Sequence, residues 1–83
     1  MGWRALNNMS ANKIDLDLRG LKCPLPAMKV ASMLAKLSKG ARLIVRATDP
    51  MSVIDIPHAV ATADARLIDQ TRDGRVILFE IER

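Results

Sequence analysis

From Ile14 to Arg19 the chain alternates strictly, Ile-Asp-Leu-Asp-Leu-Arg, so a strand there carries apolar side chains on one face and charges on the other. A sheet with one solvated face is covered by helices on its other side only, which predicts a two-layer domain. Gly20 breaks the strand, and from Pro24 to Leu37 the spacing becomes helical. Lys29, Ser32, Lys36 and Lys39 then fall along one face, and Met28, Ala31, Leu34 and Ala35 along another. Gly40 is placed to end this helix as a C-cap glycine. Arg42 to Thr48, β-branched and apolar at its centre, predicts a second strand. Strand, helix and strand in that order make the two strands parallel, joined by a right-handed crossover.

Asp49-Pro50 reads as an N-cap and a first-turn proline, opening a second helix. Pro57 lacks the N–H that a helix interior needs, so Asp55-Ile56-Pro57 predicts a kink or a restart. Asp55 would cap the part that runs on to about Ala63. Two further strands, Arg66 to Thr71 and Arg75 to Glu82, flank Asp73-Gly74 as a tight hairpin turn. The predicted order is β-α-β-α-β-β, an α/β (α+β) two-layer sandwich with two helices on one face of the sheet. Residues 1–12 show no periodicity and read as a flexible tail ahead of a single domain, residues 13–83.

Composition narrows the picture. At 83 residues, 49% hydrophobic and 27% charged, the chain has the balance of one globular domain and no room for a second. Trp3 and Phe79 are its only aromatics, so the core is expected to rest on Leu, Ile, Val, Met and Ala. One cysteine cannot close an internal disulfide, and one cysteine with one histidine cannot make a four-ligand zinc site. Neither a metal nor a cofactor is expected. A lone thiol without a disulfide framework suits a reducing compartment. The start of the chain lacks the apolar stretch of a secretory signal, and no run approaches the roughly 18 apolar residues of a membrane span. A cytoplasmic protein without membrane attachment is therefore expected.

The net charge of +4 is unevenly spread. Between Asp17 and Asp49 there is no acid, but there are seven cations: Arg19, Lys22, Lys29, Lys36, Lys39, Arg42 and Arg46. Such a stretch is either a solvated face or a docking surface for an acidic protein or RNA.

The chemistry concentrates at Leu21-Lys22-Cys23-Pro24-Leu25-Pro26. Cys23 lies where the loop becomes the helix, and cysteine reacts as the thiolate, which the positive end of a helix favours. Lys22, Arg19 and Lys29 are placed to add positive potential. Pro24, at the first helical position, fixes the start of the helix, and Pro26 removes a second free N–H. Mainly the amides of Cys23 and Leu25 are then left to meet a sulfur anion. The prolines act chiefly through rigidity, holding the thiol at a protruding point where a partner's sulfur approaches in line. The competing reading, a small buried hydrophobe, fits poorly beside two prolines and a lysine. His58 reads as a surface or helix-start residue, and Asp49 and Asp55 read as caps. A Cys-X-X-Cys redox pair is excluded.

The run Asp17-Leu18-Arg19-Gly20-Leu21-Lys22-Cys23-Pro24-Leu25-Pro26 resembles the signature of the TusA (SirA-like) sulfur-carrier family, marked by Cys-Pro-X-Pro at the start of the first helix. The likeness extends over about residues 13 to 83. It implies a four-stranded mixed sheet with two helices, a fold that is also similar to the RNA-binding C-terminal domain of a bacterial translation initiation factor. It further implies that Cys23 accepts sulfur as a persulfide from a cysteine desulfurase or a rhodanese-type donor and relays it to an acceptor protein. Cys23 would be the catalytic residue, with Arg19, Lys22, Pro24, Pro26 and Lys29 as binding residues. Such a sulfurtransferase is both reagent and catalyst, and it is expected to work as a monomer. In some members the sulfur reaches tRNA as 2-thiouridine, and in others it serves sulfur oxidation, molybdenum cofactor supply or selenium metabolism. The alternative is an RNA- or protein-binding regulatory module that uses the basic 19–46 stretch without sulfur chemistry. The scarcity of aromatics for base stacking weighs against RNA.

Overall fold

A computed structural model describes residues 13–83; the predicted tail, residues 1–12, lies outside them. Six elements follow the predicted order: β1 (Lys13–Leu18), α1 (Leu25–Lys36), β2 (Arg42–Ala47), α2 (Ser52–Thr62), β3 (Arg66–Asp73) and β4 (Val76–Glu82). They form one mixed sheet in the order β1-β2-β4-β3, with β1 parallel to β2 and both other pairings antiparallel.

Register explains why one face of this sheet is dry. Leu16, Val45 and Phe79 stand side by side across β1, β2 and β4. Ile14, Leu43 and Ile81 form the row on one side of them, and Leu18, Ala47 and Ile77 the row on the other. These rows join Val30 and Leu34 of α1 with Ile56 and Val60 of α2 in a single core, so both helices cover the same face. On the opposite face the register sets ions against each other. Arg42 meets Glu80 at 2.6 Å, Arg46 meets Asp15 at 3.3 Å, and Arg66 meets Glu82 at 2.6 Å. The edge strand β3 is almost wholly exposed beyond Leu67, and a register shift between Leu67 and Asp69 puts Gln70 beside Phe79 and Arg72 beside Ile77.

Several local expectations change. In α1 the buried stripe is Pro26, Val30 and Leu34, with Met33 and Leu37 packed at its margin, whereas Met28, Ala31 and Ala35 are exposed. The true stripe follows i, i+4, i+8 from Pro26. Gly40 does not cap α1, which ends at an extended Leu37. It turns the chain into β2 with φ +91°, its amide donating to the Arg83 carbonyl. The hairpin turn is Gly74-Arg75, one residue later than expected, since Asp73 still pairs with Val76. Among the described residues the largest fully buried side chain is Phe79, and methionine enters the core only through the half-buried Met33.

α2 runs unbroken through Pro57, and Asp55 caps nothing. Ser52, Ile56 and Val60 recur every fourth residue along its buried face. Burying that stripe against the sheet offsets the one backbone hydrogen bond that Pro57 cannot make. The helix stops at Asp64, in the left-handed region at φ +60°. The Ala65 amide reaches back to the Val60 carbonyl and the Asp64 amide to Ala61, a Schellman closure without glycine.

Candidate functional site

Because β1 and β2 are parallel, their C-terminal ends and the two loops that follow lie at the same edge of the sheet. Two hydrogen bonds fasten the loops together. The Gly20 amide, in a turn with φ +87°, donates to Thr48 Oγ1 at 2.8 Å, and the Cys23 amide donates to Asp49 Oδ2. Asp49 Oδ1 also accepts the Met51 amide at 3.2 Å, so one carboxylate spans the first loop and the start of α2.

Cys23 is exposed and lies just outside α1. The cap of that helix is Pro24, one residue earlier than the first helical position expected of it, and the Cys23–Pro24 peptide is cis. Pro26 is fully buried at the second helical position and anchors this end of α1 to the core. Grooves of about 230 Å³ and 280 Å³ flank the second loop, between Lys22 and the Arg75 turn, yet neither takes Cys23 into its lining. The thiol stands on the surface, open to a large partner.

Its immediate neighbour is an acid. The Cys23 thiol donates to Asp55 Oδ2 at 2.7 Å. That hydrogen bond, loss of hydration, and the negative charges of Asp55 and Asp49 together raise the thiol above an ordinary cysteine. This reverses the expected electrostatics. Arg19 turns its guanidinium onto Asp17 in a two-pronged pair, both distances 2.8 Å, which holds that carboxyl down at about 2. Lys22 and Lys29 are exposed, and among the described residues neither forms an ion pair. The two amides expected to face a sulfur anion are occupied: Cys23 N–H by Asp49, Leu25 N–H by the Lys22 carbonyl at 2.9 Å. Neither of these two amides is left to meet a sulfur anion.

Asp55 is the site residue that sequence reasoning passed over, because Pro57 suggested a restart with Asp55 as its cap. Read as one helix from Ser52, the segment places Asp55 in the first turn, past the cap. Side chains there lean toward the N-terminus, here toward the loop that holds Cys23. His58 is exposed farther along α2, and the thiol is bonded to Asp55, not to it.

The family model described as Sulfurtransferase TusA matches residues 14–83. The chain belongs to the TusA family. It is 37% identical over 68 residues to the sulfur carrier protein TusA of Pseudomonas fluorescens, covering 82% of each chain. It is 35% identical over 69 residues to that of Allochromatium vinosum, covering 83% of this chain and 91% of the other. The crystal structure of a SirA-like protein from Desulfitobacterium hafniense shares the fold, with a TM-score of 0.73 at 22% identity over 83% of this chain and 95% of that one. Among the described residues of this TusA-family chain, no helix is long and apolar enough to cross a membrane, and no cluster of acids, histidine and cysteine is set to hold a metal.

The carboxylate beside the thiol has a direct consequence. Alkylation of Cys23 by iodoacetamide is expected to be slower at neutral pH than that of free cysteine, with its half-maximal rate at a higher pH than is ordinary for a thiol. Asp55→Asn should move that profile to lower pH. A rate against pH series on both proteins checks it, and identical profiles would mean that Asp55 has no hold on the thiol.

Proposed function

We propose that this chain is a sulfur carrier that takes one sulfur atom on Cys23 as a persulfide and passes it to an acceptor protein. The observation that carries the reading is the lone thiol itself, exposed on the surface and held by two loops that β1 and β2 bring together. Support comes also from the sulfur-carrier names of the relatives and from the match over residues 14–83. Exposed Leu25 and Met28 on α1, with Met51 and Ile54 at the start of α2, leave apolar surface near Cys23 and Asp55 in the chain, as a docking face requires.

The transfer balances without an oxidant. Cys23 as thiolate attacks the outer sulfur of the donor's perthiol, a new S–S bond forms as the old one breaks, and the proton shed by Cys23 ends on the departing donor thiolate. Donors of the cysteine desulfurase or rhodanese type, a cytoplasmic setting and a final acceptor in tRNA thiolation or another sulfur pathway fit this chemistry. Arg19, Lys22 and Lys29, on or next to the loop, would help to seat a partner, and Pro24 and Pro26 would keep the loop stiff.

The RNA-binding reading has less to stand on. Arg19, Arg42 and Arg46, three of the seven cations in the basic stretch, are paired with acids. The test is intact mass after incubation with a cysteine desulfurase and cysteine. The wild-type protein should gain a single sulfur atom, removable by reductant, and a chain that stays at its unmodified mass would overturn the proposal.

A further inference from the structure

The 2.7 Å between Cys23 Sγ and Asp55 Oδ2 is the distance of an occupied hydrogen bond. A second sulfur bonded to Sγ would sit about 2.05 Å from it. Adding a contact distance to the oxygen far exceeds the gap, so no sulfur fits between the two groups. An added sulfur must therefore point away from the Asp55 carboxylate.

The bond is lost chemically. In the empty protein Sγ has a proton to give to Asp55; in the persulfide Sγ has none, and the outer sulfur, more acidic than the parent thiol, is an anion at neutral pH. A carboxylate that accepted a hydrogen bond becomes a like charge beside it. Neither acid is free to retreat. Asp49 is bound to the Cys23 and Met51 amides, and Asp55 is fixed in the first turn of α2.

We infer that Asp55, together with Asp49, makes Cys23 a loose holder of sulfur: these acids stabilise the empty thiol, destabilise the loaded persulfide and drive the sulfur toward any acceptor whose thiol lacks such neighbours. Asp55 is thus a positioning and potential-setting residue for the transfer, which rests on Cys23 being the sulfur acceptor.

Glutathione persulfide serves as the probe. In Cys23–SH + GS–SH ⇌ Cys23–S–SH + GSH the S–S bond of the glutathione persulfide is exchanged for one on Cys23, the thiol proton moves to glutathione, and nothing is oxidised overall. The loaded fraction, read by intact mass at fixed ratios of persulfide to thiol, gives the equilibrium constant. Asp55→Asn should raise it about tenfold, the equivalent of one pKa unit of charge interaction. Asp55→Glu, which keeps the charge, should stay near wild type. Added salt should raise the loaded fraction of wild type and leave the Asn variant nearly unchanged. Equal loading of wild type and Asp55→Asn, or weaker loading of the variant, overturns the inference while leaving the carrier reading intact. Failure of every variant to take up sulfur brings down both.

Discussion

Cys23→Ser should abolish sulfur uptake outright, with no residual adduct after incubation with a desulfurase and cysteine. Serine oxygen forms no persulfide, and the remaining sulfur in the chain is methionine thioether, which has no proton to lose and no thiolate to attack with. The loss should be purely chemical. Cys23 is exposed, and a serine hydroxyl can still donate to Asp55, while the bonds from the Cys23 amide to Asp49 and from the Gly20 amide to Thr48 do not involve the side chain. Stability is therefore expected to stay within about 0.5 kcal/mol of wild type, the usual range for surface substitutions. Intact mass and denaturant unfolding on the same preparation separate the two effects. An adduct surviving in the serine variant would place the sulfur elsewhere, and salt-dependent RNA binding equal in both proteins would favour the binding module instead.

The frame of the molecule was legible because its signals are local. Alternation from Ile14 to Arg19 reports a half-wet strand without reference to anything distant, and the structure repeats it residue by residue. The parallel pairing of β1 and β2 likewise needs only the order of elements. Where reading failed, a second element decided the outcome. Which apolar stripe of α1 turns inward depends on the sheet beneath, and Pro26 and Val30 carried it in place of Met28 and Ala35. A glycine four residues beyond a helix can serve the next strand as easily as the helix, and Gly40 does.

The site shows the same division more sharply. That Cys23 lies on the surface beside a proline-fixed helix start follows from its neighbours in the chain. The sign of the potential around it does not. Arg19 and Lys22 are the near residues in sequence, yet the charges that act on the sulfur are Asp55, 32 residues on, and Asp49, 26 residues on. Nothing local distinguishes an aspartate that begins a helix from one that leans back to a loop across the sheet edge. Charge counting along the chain fails for the same reason, since Arg42 and Arg46 meet their acids on β4 and β1, across strands rather than along them.

Phe79→Ala should have the largest effect on stability. Phe79 is completely buried at the centre of the core, between Val45 on β2 and Gln70 on β3, and is the largest fully buried side chain of the described residues. Removing a ring from such a place costs about 3–5 kcal/mol, through lost burial and the cavity left behind. At roughly 0.05–0.15 kcal/mol per residue a domain of this size has only about 4–12 kcal/mol to lose, so the midpoint of urea unfolding should fall steeply. Function should follow stability in a measurable way. The rows on which α1 and α2 rest also hold the two loops in place, so each excursion to the unfolded state frees Cys23 from Asp55. Its alkylation rate should then climb toward that of an unstructured cysteine as urea is added, at far lower urea than in wild type. A loss below about 1 kcal/mol would mean that the core closes around the gap, and that the helix layer is held by Leu34 and Ile56 more than by the ring beneath them.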